Sequence, residues 1–218
     1  MVVFFSKSLH SRPVQNSRLV IFSSANGSTF EAIVDAVRSG EILAEVVGLI
    51  VNRSDAGVIE RAKRLKVPFS ICEIGKDGNR TSQDAQIESQ LKQWKPDWAI
   101  LAGYMNLIGP QTLSFLAGKI LNVHPSLLPK FGGKGMYGSR VHQAVIEHKE
   151  AESGITVHIV TPKYDEGPIV AQKRVPISPE MSWQQLEEKI KALEKPFYIE
   201  TIADLVSGRR KLPKKNQD

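Results

Sequence analysis

An amide and an imidazole stand two residues apart where a short apolar run ends. Asn122 and His124 belong to the segment "LNVHPSLLP", which begins at Leu121. Alternate side chains of a strand point to the same face, so we expect both groups to face one space. An amide N–H and a protonated imidazole could together stabilise the oxyanion of an acyl transfer. A histidine beside prolines is also a common structural residue, so the pair alone leaves both interpretations open.

A carboxylate in a later turn could act on the same imidazole. Asp165 lies in "YDEGPIV", a Gly/Pro-containing turn between two strand-like runs. If the turn folds towards His124, the carboxylate should raise the pKa of the imidazole and keep it a proton donor near neutral pH. The alternative is an aspartate that only shapes its turn, which is frequent.

A third candidate is the glycine-containing turn "SSANGSTF". Gly27 could let the backbone approach a ligand closely, and Ser28 and Thr29 could cap the helix that follows. The N–H groups at the positive end of that helix could then hold a phosphate. The spacing matches neither a P-loop nor a dinucleotide fingerprint. An ordinary capped strand-to-helix turn explains the same residues.

The elements that must position these groups alternate between strand and helix. Helix-spaced apolar residues separate continuous apolar runs, which predicts parallel strands with helical crossovers and both sheet faces covered. We therefore expect an α/β fold, a doubly wound, Rossmann-like and mostly parallel sheet with helices on both faces. Its ligands should bind beyond the carboxyl ends of the strands. The predicted strands are 19–22, 46–51, 98–102 and 120–123.

The last third of the chain follows a different pattern. The strand-like runs 156–160 and 169–172 are too close in sequence for a helical crossover, which predicts an antiparallel C-terminal pair. A final helix is expected over about residues 182–207, and Pro196 should kink or break it.

Composition limits the classes of protein and partner. The chain has 218 residues, 41% of them hydrophobic, and lacks the roughly 20-residue apolar run that would span a membrane. Its net charge of +6 suits small anionic substrates, and no aromatic-interleaved basic stripe indicates nucleic-acid binding. We expect small-molecule substrates, no membrane partner, and either a monomer or a homodimer.

The single cysteine, Cys72, excludes an internal disulfide framework and fits a reducing, cytoplasmic location. His142, His148 and His158 show no metal-ligand spacing with one another or with Cys72, which predicts no metal site. Residues 1–17 are expected to be a disordered extension, with a start codon placed too early or an organelle transit peptide as the alternatives. Residues 18–208 should form the functional domain and 209–218 a basic tail.

Several segments in order carry a resemblance to a known family. They include "FSSANGSTFEAIVDAV", "PDWAILAGYMNLIGP", "LNVHPSLLPK" and "ESGITVHIVTPKYDEGPIVAQ", and they span nearly all of residues 18–208. The chain resembles the phosphoribosylglycinamide formyltransferase family. The resemblance implies transfer of a formyl group from 10-formyltetrahydrofolate to the amine of glycinamide ribonucleotide, in purine synthesis and without a metal.

The resemblance also implies roles for individual residues. The residues that match the catalytic positions are Asn122, His124 and Asp165. The residues that match the ribonucleotide contacts are Gly27, Ser28, Thr29, Lys191 and Glu194. The residues that match the folate contacts are Arg80, Met105, Asn106, Leu107 and Ile108, together with Asn122.

The chain departs from the family pattern at a few positions. Ala25 replaces a usual glycine, Thr29 a common asparagine and Asn106 a frequent arginine. The run "FGGKGMYGSR" after Lys130 is longer than the usual link to the next helix. The alternatives are a formyltransferase acting on methionyl-tRNA and a non-catalytic nucleotide-binding module. Members of the tRNA type usually read His-Gly-Ser where this chain reads His-Pro-Ser.

Overall fold

The fold was analysed in a computed structural model that describes residues 16–75 and 78–213. The expectations for residues 1–15 and 214–218 fall outside this part of the chain. The strands are β1 Ser17–Ser23, β2 Ala44–Val51, β3 Phe69–Ile71, β4 Trp98–Leu101, β5 Ile120–His124, β6 Glu152–Ile159 and β7 Ile169–Pro176. The helices are α1 Ser28–Arg38, α2 Val58–Arg64, α3 Arg80–Trp94, α4 Pro110–Phe115, α5 Ser139–Glu147 and α6 Trp183–Val206.

The strands form one seven-stranded sheet in the order β3-β2-β1-β4-β5-β6-β7. Strands β1 to β5 pair in parallel, whereas β6 pairs antiparallel with both β5 and β7. This arrangement confirms the predicted fold class, including the antiparallel C-terminal pair. The strand order reverses at β1, and in such sheets the crevice beyond the carboxyl ends at the reversal holds the ligand.

Strand β1 shows why both faces of the sheet are covered. Leu19 and Ile21 belong to the larger apolar cluster, with side chains from α1, α2 and α6. Val20 and Phe22 belong to the smaller cluster, with side chains from α3. All four are fully buried, because the two-residue period of a strand sends successive side chains to opposite faces.

Helix α6, Trp183–Val206, confirms the predicted final helix of about residues 182–207, but Pro196 does not break it. It runs for 24 residues through Pro196 without a break. An internal proline costs about 3 kcal/mol or more, but the turn that follows it is anchored by buried Phe197 and Tyr198. The Tyr198 hydroxyl donates to the carbonyls of Leu101 and Leu121, at 3.2 and 3.0 Å, where β4 and β5 run side by side. Burial and these bonds offset the cost of the proline.

Three elements had no prediction of their own: β3, α4 and α5. β3 has only three residues and α4 only six, so neither shows enough of a periodic pattern to be recognised. No helix in residues 16–75 and 78–213 is long and apolar enough to cross a membrane.

Candidate active site

A cavity of about 540 Å³ opens at the carboxyl ends of β4 and β5. The loop after β5, the turn before β7 and helix α6 complete its wall. It brings together six of the residues singled out by the sequence, namely Asn122, His124, Asp165, Met105, Lys191 and Glu194. Residues more than 40 positions apart therefore share one chamber, as expected for a doubly wound sheet.

Strand β5 delivers the amide and the imidazole to this cavity. Asn122 and His124 both line it, as the alternation along a strand predicts. Antiparallel pairing sets Asn122 opposite His158 and His124 opposite Thr156 on β6. Pairing with β6 therefore fixes the position of the last residues of β5.

The two nitrogens expected to point at one substrate atom are instead engaged with protein groups. Asn122 Nδ2 lies 3.1 Å from His158 Nε2. His124 Nε2 lies 2.8 Å from the carbonyl oxygen of Phe131 and donates to it, because a carbonyl can only accept. His124 Nδ1 is left facing Asp165, with 3.5 Å between Nδ1 and Oδ2. The imidazole can therefore exchange a proton only at Nδ1.

The pKa of His124 moves in the opposite direction from the prediction. Burial has the largest effect and lowers this pKa, and the nearby His158 lowers it further. Asp165 and the Phe131 carbonyl raise the pKa, but they do not offset burial, so the pKa of His124 lies below its ordinary value. The expectation of a raised pKa was wrong because it counted the carboxylate and not the loss of water around a side chain that is almost fully buried. The imidazole is therefore neutral near pH 7.

Asp165 is held by its turn as well as by its partners. Its backbone adopts φ 57°, a left-handed conformation that costs most residues energy. Its Oδ2 accepts from the Gly133 N–H at 2.9 Å, which ties the turn to the loop after β5. Burial raises the pKa of Asp165, but His158, His124 and the Gly133 N–H outweigh burial and hold it below its usual value. The carboxylate is ionised at neutral pH.

Gly167, the glycine of the "DEGP" turn, is required by close packing. A Cβ at this position would lie 1.7 Å from the carbonyl oxygen of Ile159, so the turn can close on β6 only with glycine here. The close approach keeps Asp165 against the two histidines.

His158 is a site residue that the sequence analysis missed. It is buried, its Nε2 lies 3.5 Å from Asp165 Oδ1, and its Nδ1 lies 3.0 Å from the carbonyl oxygen of Ile159. An Nδ1–H donated to that carbonyl leaves Nε2 free to accept from Asn122. The signal in the sequence is a histidine inside an apolar strand, at position 158 of the run 156–160.

The turn before α1 is shaped by packing. Gly27 has φ 79°, and a Cβ there would lie 2.4 Å from Val58 Cγ2 on α2. Gly27 itself caps α1 without a side-chain hydrogen bond, so the expected capping by Ser28 or Thr29 was wrong. Gly27, Ser28 and Thr29 lie outside the set of residues that line the 540 Å³ cavity. Their contact with a phosphate stays a prediction.

The residues matched to folate contacts fall in more than one place. Met105 lines the main cavity, and its N–H donates to Ser24 Oγ at 2.9 Å. Arg80, Leu107 and Ile108 line a second cavity of about 280 Å³ beside α3 and α4. Asn106 lines neither of these two cavities.

Helix α6 contributes charged groups to the main cavity. Lys191 pairs with Glu187 one turn earlier, at 2.7 Å. Burial raises the pKa of Glu194, while Lys195 and Lys191 oppose that rise. Within the described ranges, no group of three or more His, Cys, Asp or Glu side chains is arranged to hold a metal ion.

Comparison with known proteins identifies the family. The model of the formyl transferase family matches residues 17–202. A phosphoribosylglycinamide formyltransferase from Haemophilus influenzae is 36% identical over 195 residues, which cover 89% of this chain and 90% of the relative. The chloroplastic phosphoribosylglycinamide formyltransferase of Vigna unguiculata is 34% identical over 196 residues; these cover 90% of this chain but only 63% of that longer relative.

Solved structures agree with the sequence comparison. The crystal structure of glycinamide ribonucleotide transformylase 1 from Symbiobacterium toebii superposes with a TM-score of 0.83 at 33% identity, covering 96% of each chain. The chain therefore belongs to the formyl transferase family.

Proposed function

We propose that this protein transfers the formyl group of 10-formyltetrahydrofolate to the primary amine of glycinamide ribonucleotide, a step of purine synthesis, with residues 18–208 as the formyltransferase domain. The observation that carries the proposal is the continuous polar cluster of Asn122, His158, Asp165 and His124 on the wall of one cavity. The names of the relatives from Haemophilus influenzae and Vigna unguiculata support the choice of substrates.

The two substrates meet at the end of β5. Lys191 and Glu194, which line the cavity from α6, are the proposed ribonucleotide contacts, because a lysine complements phosphate and a carboxylate accepts from sugar hydroxyls. Gly27, Ser28 and Thr29 keep their predicted contact with the phosphate. Met105 is about half exposed at the cavity and offers an apolar surface to the pterin, with Arg80, Asn106, Leu107 and Ile108 as further folate contacts.

In the first chemical step, the neutral amine attacks the formyl carbon. A carbon–nitrogen bond forms, and the carbonyl electrons move onto oxygen. An amide nitrogen carries two hydrogens, so Asn122 can donate one to His158 Nε2 and the other to this oxyanion. His158 thus holds the amide in the orientation that the oxyanion needs, although it does not touch the substrate.

In the second step, the bond between the carbon and the folate nitrogen breaks, and that nitrogen takes up a proton. His124 Nδ1 is the nitrogen that can carry this proton, since Nε2 is committed to the Phe131 carbonyl. The proton comes from the amine nitrogen, which becomes positively charged when its bond to the formyl carbon forms, and it reaches His124 directly or through water; the oxyanion electrons return to re-form the carbonyl as the folate nitrogen leaves. Asp165 is ionised and stabilises the imidazolium that forms in between.

Turnover of purified protein with both substrates tests the proposal. Folate deformylation is followed spectroscopically with glycinamide ribonucleotide present and absent, and the formylated ribonucleotide is identified by mass. We expect turnover only when the amine substrate is present. Folded protein that transfers the formyl group to methionyl-tRNA instead, or that hydrolyses the folate without an acceptor, would reject the assignment.

We further propose a cytoplasmic location and an assembly no larger than a dimer, with small molecules rather than nucleic acid as partners. The single cysteine supports a reducing compartment, although two plant relatives are named as chloroplastic. Cell fractionation and light scattering of the purified protein test these two points.

A further inference from the structure

A buried hydrogen-bond network supports the loop after β5, and the mechanism above does not use it. At its centre is Thr156 on β6, which lies opposite His124 in the sheet and is fully buried. The Thr156 hydroxyl donates to the Ser126 carbonyl at 2.7 Å. It accepts from the Leu128 N–H at 3.1 Å and from Gln172 Nε2 at 2.9 Å. Since a hydroxyl offers one donor and two acceptor positions, every hydrogen-bonding position of Thr156 is used.

Two further side chains extend the network along the loop. Gln172 on β7 also donates from its amide nitrogen to the Leu128 carbonyl, at 3.0 Å. Ser126 is fully buried, and its hydroxyl donates to the Lys130 carbonyl at 2.7 Å. Because a buried polar group that loses its partner is destabilising, these bonds fix the loop from Ser126 to Lys130.

The network ends beside the carbonyl that holds His124. Phe131 follows Lys130 directly, and its backbone has φ 56°, a left-handed conformation that is unfavourable for a residue other than glycine. A strained residue keeps such a conformation when its surroundings impose it. Here the bond from Ser126 to Lys130 fixes the chain before Phe131, and the bond from the Gly133 N–H to Asp165 fixes it afterwards.

The position of the Phe131 carbonyl decides which nitrogen of His124 carries the proton. A neutral imidazole has one N–H, and two acceptors compete for it. The Phe131 carbonyl oxygen lies 2.8 Å from Nε2, whereas Asp165 Oδ2 lies 3.5 Å from Nδ1. The shorter contact holds the proton on Nε2 and leaves Nδ1 as an acceptor. If the carbonyl moved away, the ionised carboxylate would draw the proton to Nδ1 instead.

We propose that Thr156 is a positioning residue for catalysis, because it fixes the loop that presses the Phe131 carbonyl against His124 Nε2 and so keeps Nδ1 open to accept the proton of the reaction. Thr156 lies outside the set of residues that line the main cavity, so it acts through the loop and not on the substrate. The link to turnover rests on the proposed function, whereas the effect on the imidazole does not.

Nitrogen NMR spectroscopy of protein that carries isotope-labelled histidine tests the effect on the imidazole without any substrate. The two ring nitrogens of a neutral histidine give different shifts according to which one bears the hydrogen, and the spectrum of His124→Gln assigns the signals. In wild type, we expect the proton on Nε2. Thr156→Val has nearly the same shape but lacks the hydroxyl, and we expect it to change the ratio of the two tautomers about 10-fold towards Nδ1. Thr156→Ser keeps the hydroxyl and should keep the wild-type tautomer.

Steady-state kinetics test the link to turnover. Thr156→Val should lower kcat about 10-fold and leave KM for both substrates close to wild type, and Thr156→Ser should recover most of the rate. Thr201→Val is the matched control, because Thr201 is also fully buried and donates to a carbonyl, that of Phe197 on α6, outside the set of cavity-lining residues. It should change neither kcat nor the tautomer of His124.

A milder variant covers the case in which Thr156→Val does not fold. Gln172→Met removes both amide donors and leaves the Thr156 hydroxyl bonded to Ser126 and Leu128. We expect changes in the same direction as for Thr156→Val, in both the tautomer ratio and kcat, but smaller ones.

The tautomer and the rate together decide the outcome. A proton that stays on Nε2 in the folded variants would overturn the proposal, even if kcat fell, since the effect would then be merely structural. Equal kcat of Thr156→Val and Thr201→Val would overturn it as well. A tautomer change in a protein that does not formylate glycinamide ribonucleotide would leave the role of Thr156 towards the imidazole standing and reject the proposed function.

Discussion

Two regions at the carboxyl ends of the sheet, the β1–α1 turn and the cluster around the end of β5, differ in what determines their residues. The β1–α1 turn needs Gly27 because Val58 leaves no room for a Cβ. At the end of β5, an amide, two imidazoles and a carboxylate are buried against one another. Burial of such polar groups costs desolvation free energy, and apolar side chains would pack there without that cost. Packing thus accounts for the glycine of the first turn, whereas packing does not account for the polar residues of the second cluster.

Replacing His124 tests the chemical side of this contrast and should have the largest effect. His124→Ala removes the group that accepts and returns the proton, so kcat should fall by at least about 100-fold. Thermal unfolding of the variant is the control for folding. A folded variant whose rate stays within tenfold of wild type would remove His124 from the chemistry.

Replacing Gly27 tests the packing side. Gly27→Ala combines a positive φ with a Cβ placed 2.4 Å from Val58 Cγ2, and we expect unfolding free energy to fall by about 2–4 kcal/mol. Gly40→Ala is the matched control, since its φ is 82° and no atom lies within 4 Å of the added carbon. It should cost only about 1 kcal/mol.

Urea denaturation measures the loss of unfolding free energy in each of the two glycine variants. Equal losses of stability in Gly27→Ala and Gly40→Ala would mean that Val58 does not constrain the turn. An increase in KM for the ribonucleotide confined to folded Gly27→Ala would support the predicted phosphate contact of this turn.

Replacing His158 separates positioning from direct catalysis. His158→Phe keeps a ring but removes the acceptor for Asn122 Nδ2, so kcat should fall about 10-fold while KM for each substrate stays close to wild type. His148→Phe is the control, because His148 is exposed at the end of α5. Equal kinetics of the two variants would show that Asn122 is oriented without His158.

The smallest predicted effect is on the pH dependence of stability. Because the folded-state pKa of His124 is lowered, the unfolded chain binds more protons than the folded one below the ordinary histidine pKa of about 6.5. The free energy of unfolding that neutral, buried His124 contributes is therefore fully present above about pH 6.5, and it is lost as the pH falls from there towards the folded-state pKa. The stability of wild type should therefore drop more over this range than that of His124→Gln, by about 1 kcal/mol.

Denaturant titrations at pH 7 and pH 5.5 measure this difference. Asp165 also loses stabilisation on acidification, but its lowered pKa places that loss below the ordinary aspartate pKa of about 3.9, outside the window. A parallel pH dependence of wild type and His124→Gln would contradict the burial effect on His124.

The sequence by itself determined the layered α/β fold, the antiparallel end of the sheet and the common face of Asn122 and His124. These features follow from local periodicity, which each short segment carries in its own residues. It offered Asp165 as a neighbour of His124 only on the condition that the turn folds towards the crevice, and the structure fulfils that condition with 3.5 Å between His124 Nδ1 and Asp165 Oδ2.

Only the tertiary structure decided the electrostatics and the partners of the site. Burial lowers the pKa of His124 against the pull of Asp165, the Phe131 carbonyl takes Nε2, and β-pairing brings His158 to Asn122. The same holds for α6, where buried Tyr198 carries the helix through Pro196. Such outcomes depend on how much water is excluded and on which distant segments meet, and neither is encoded in the spacing of neighbouring residues.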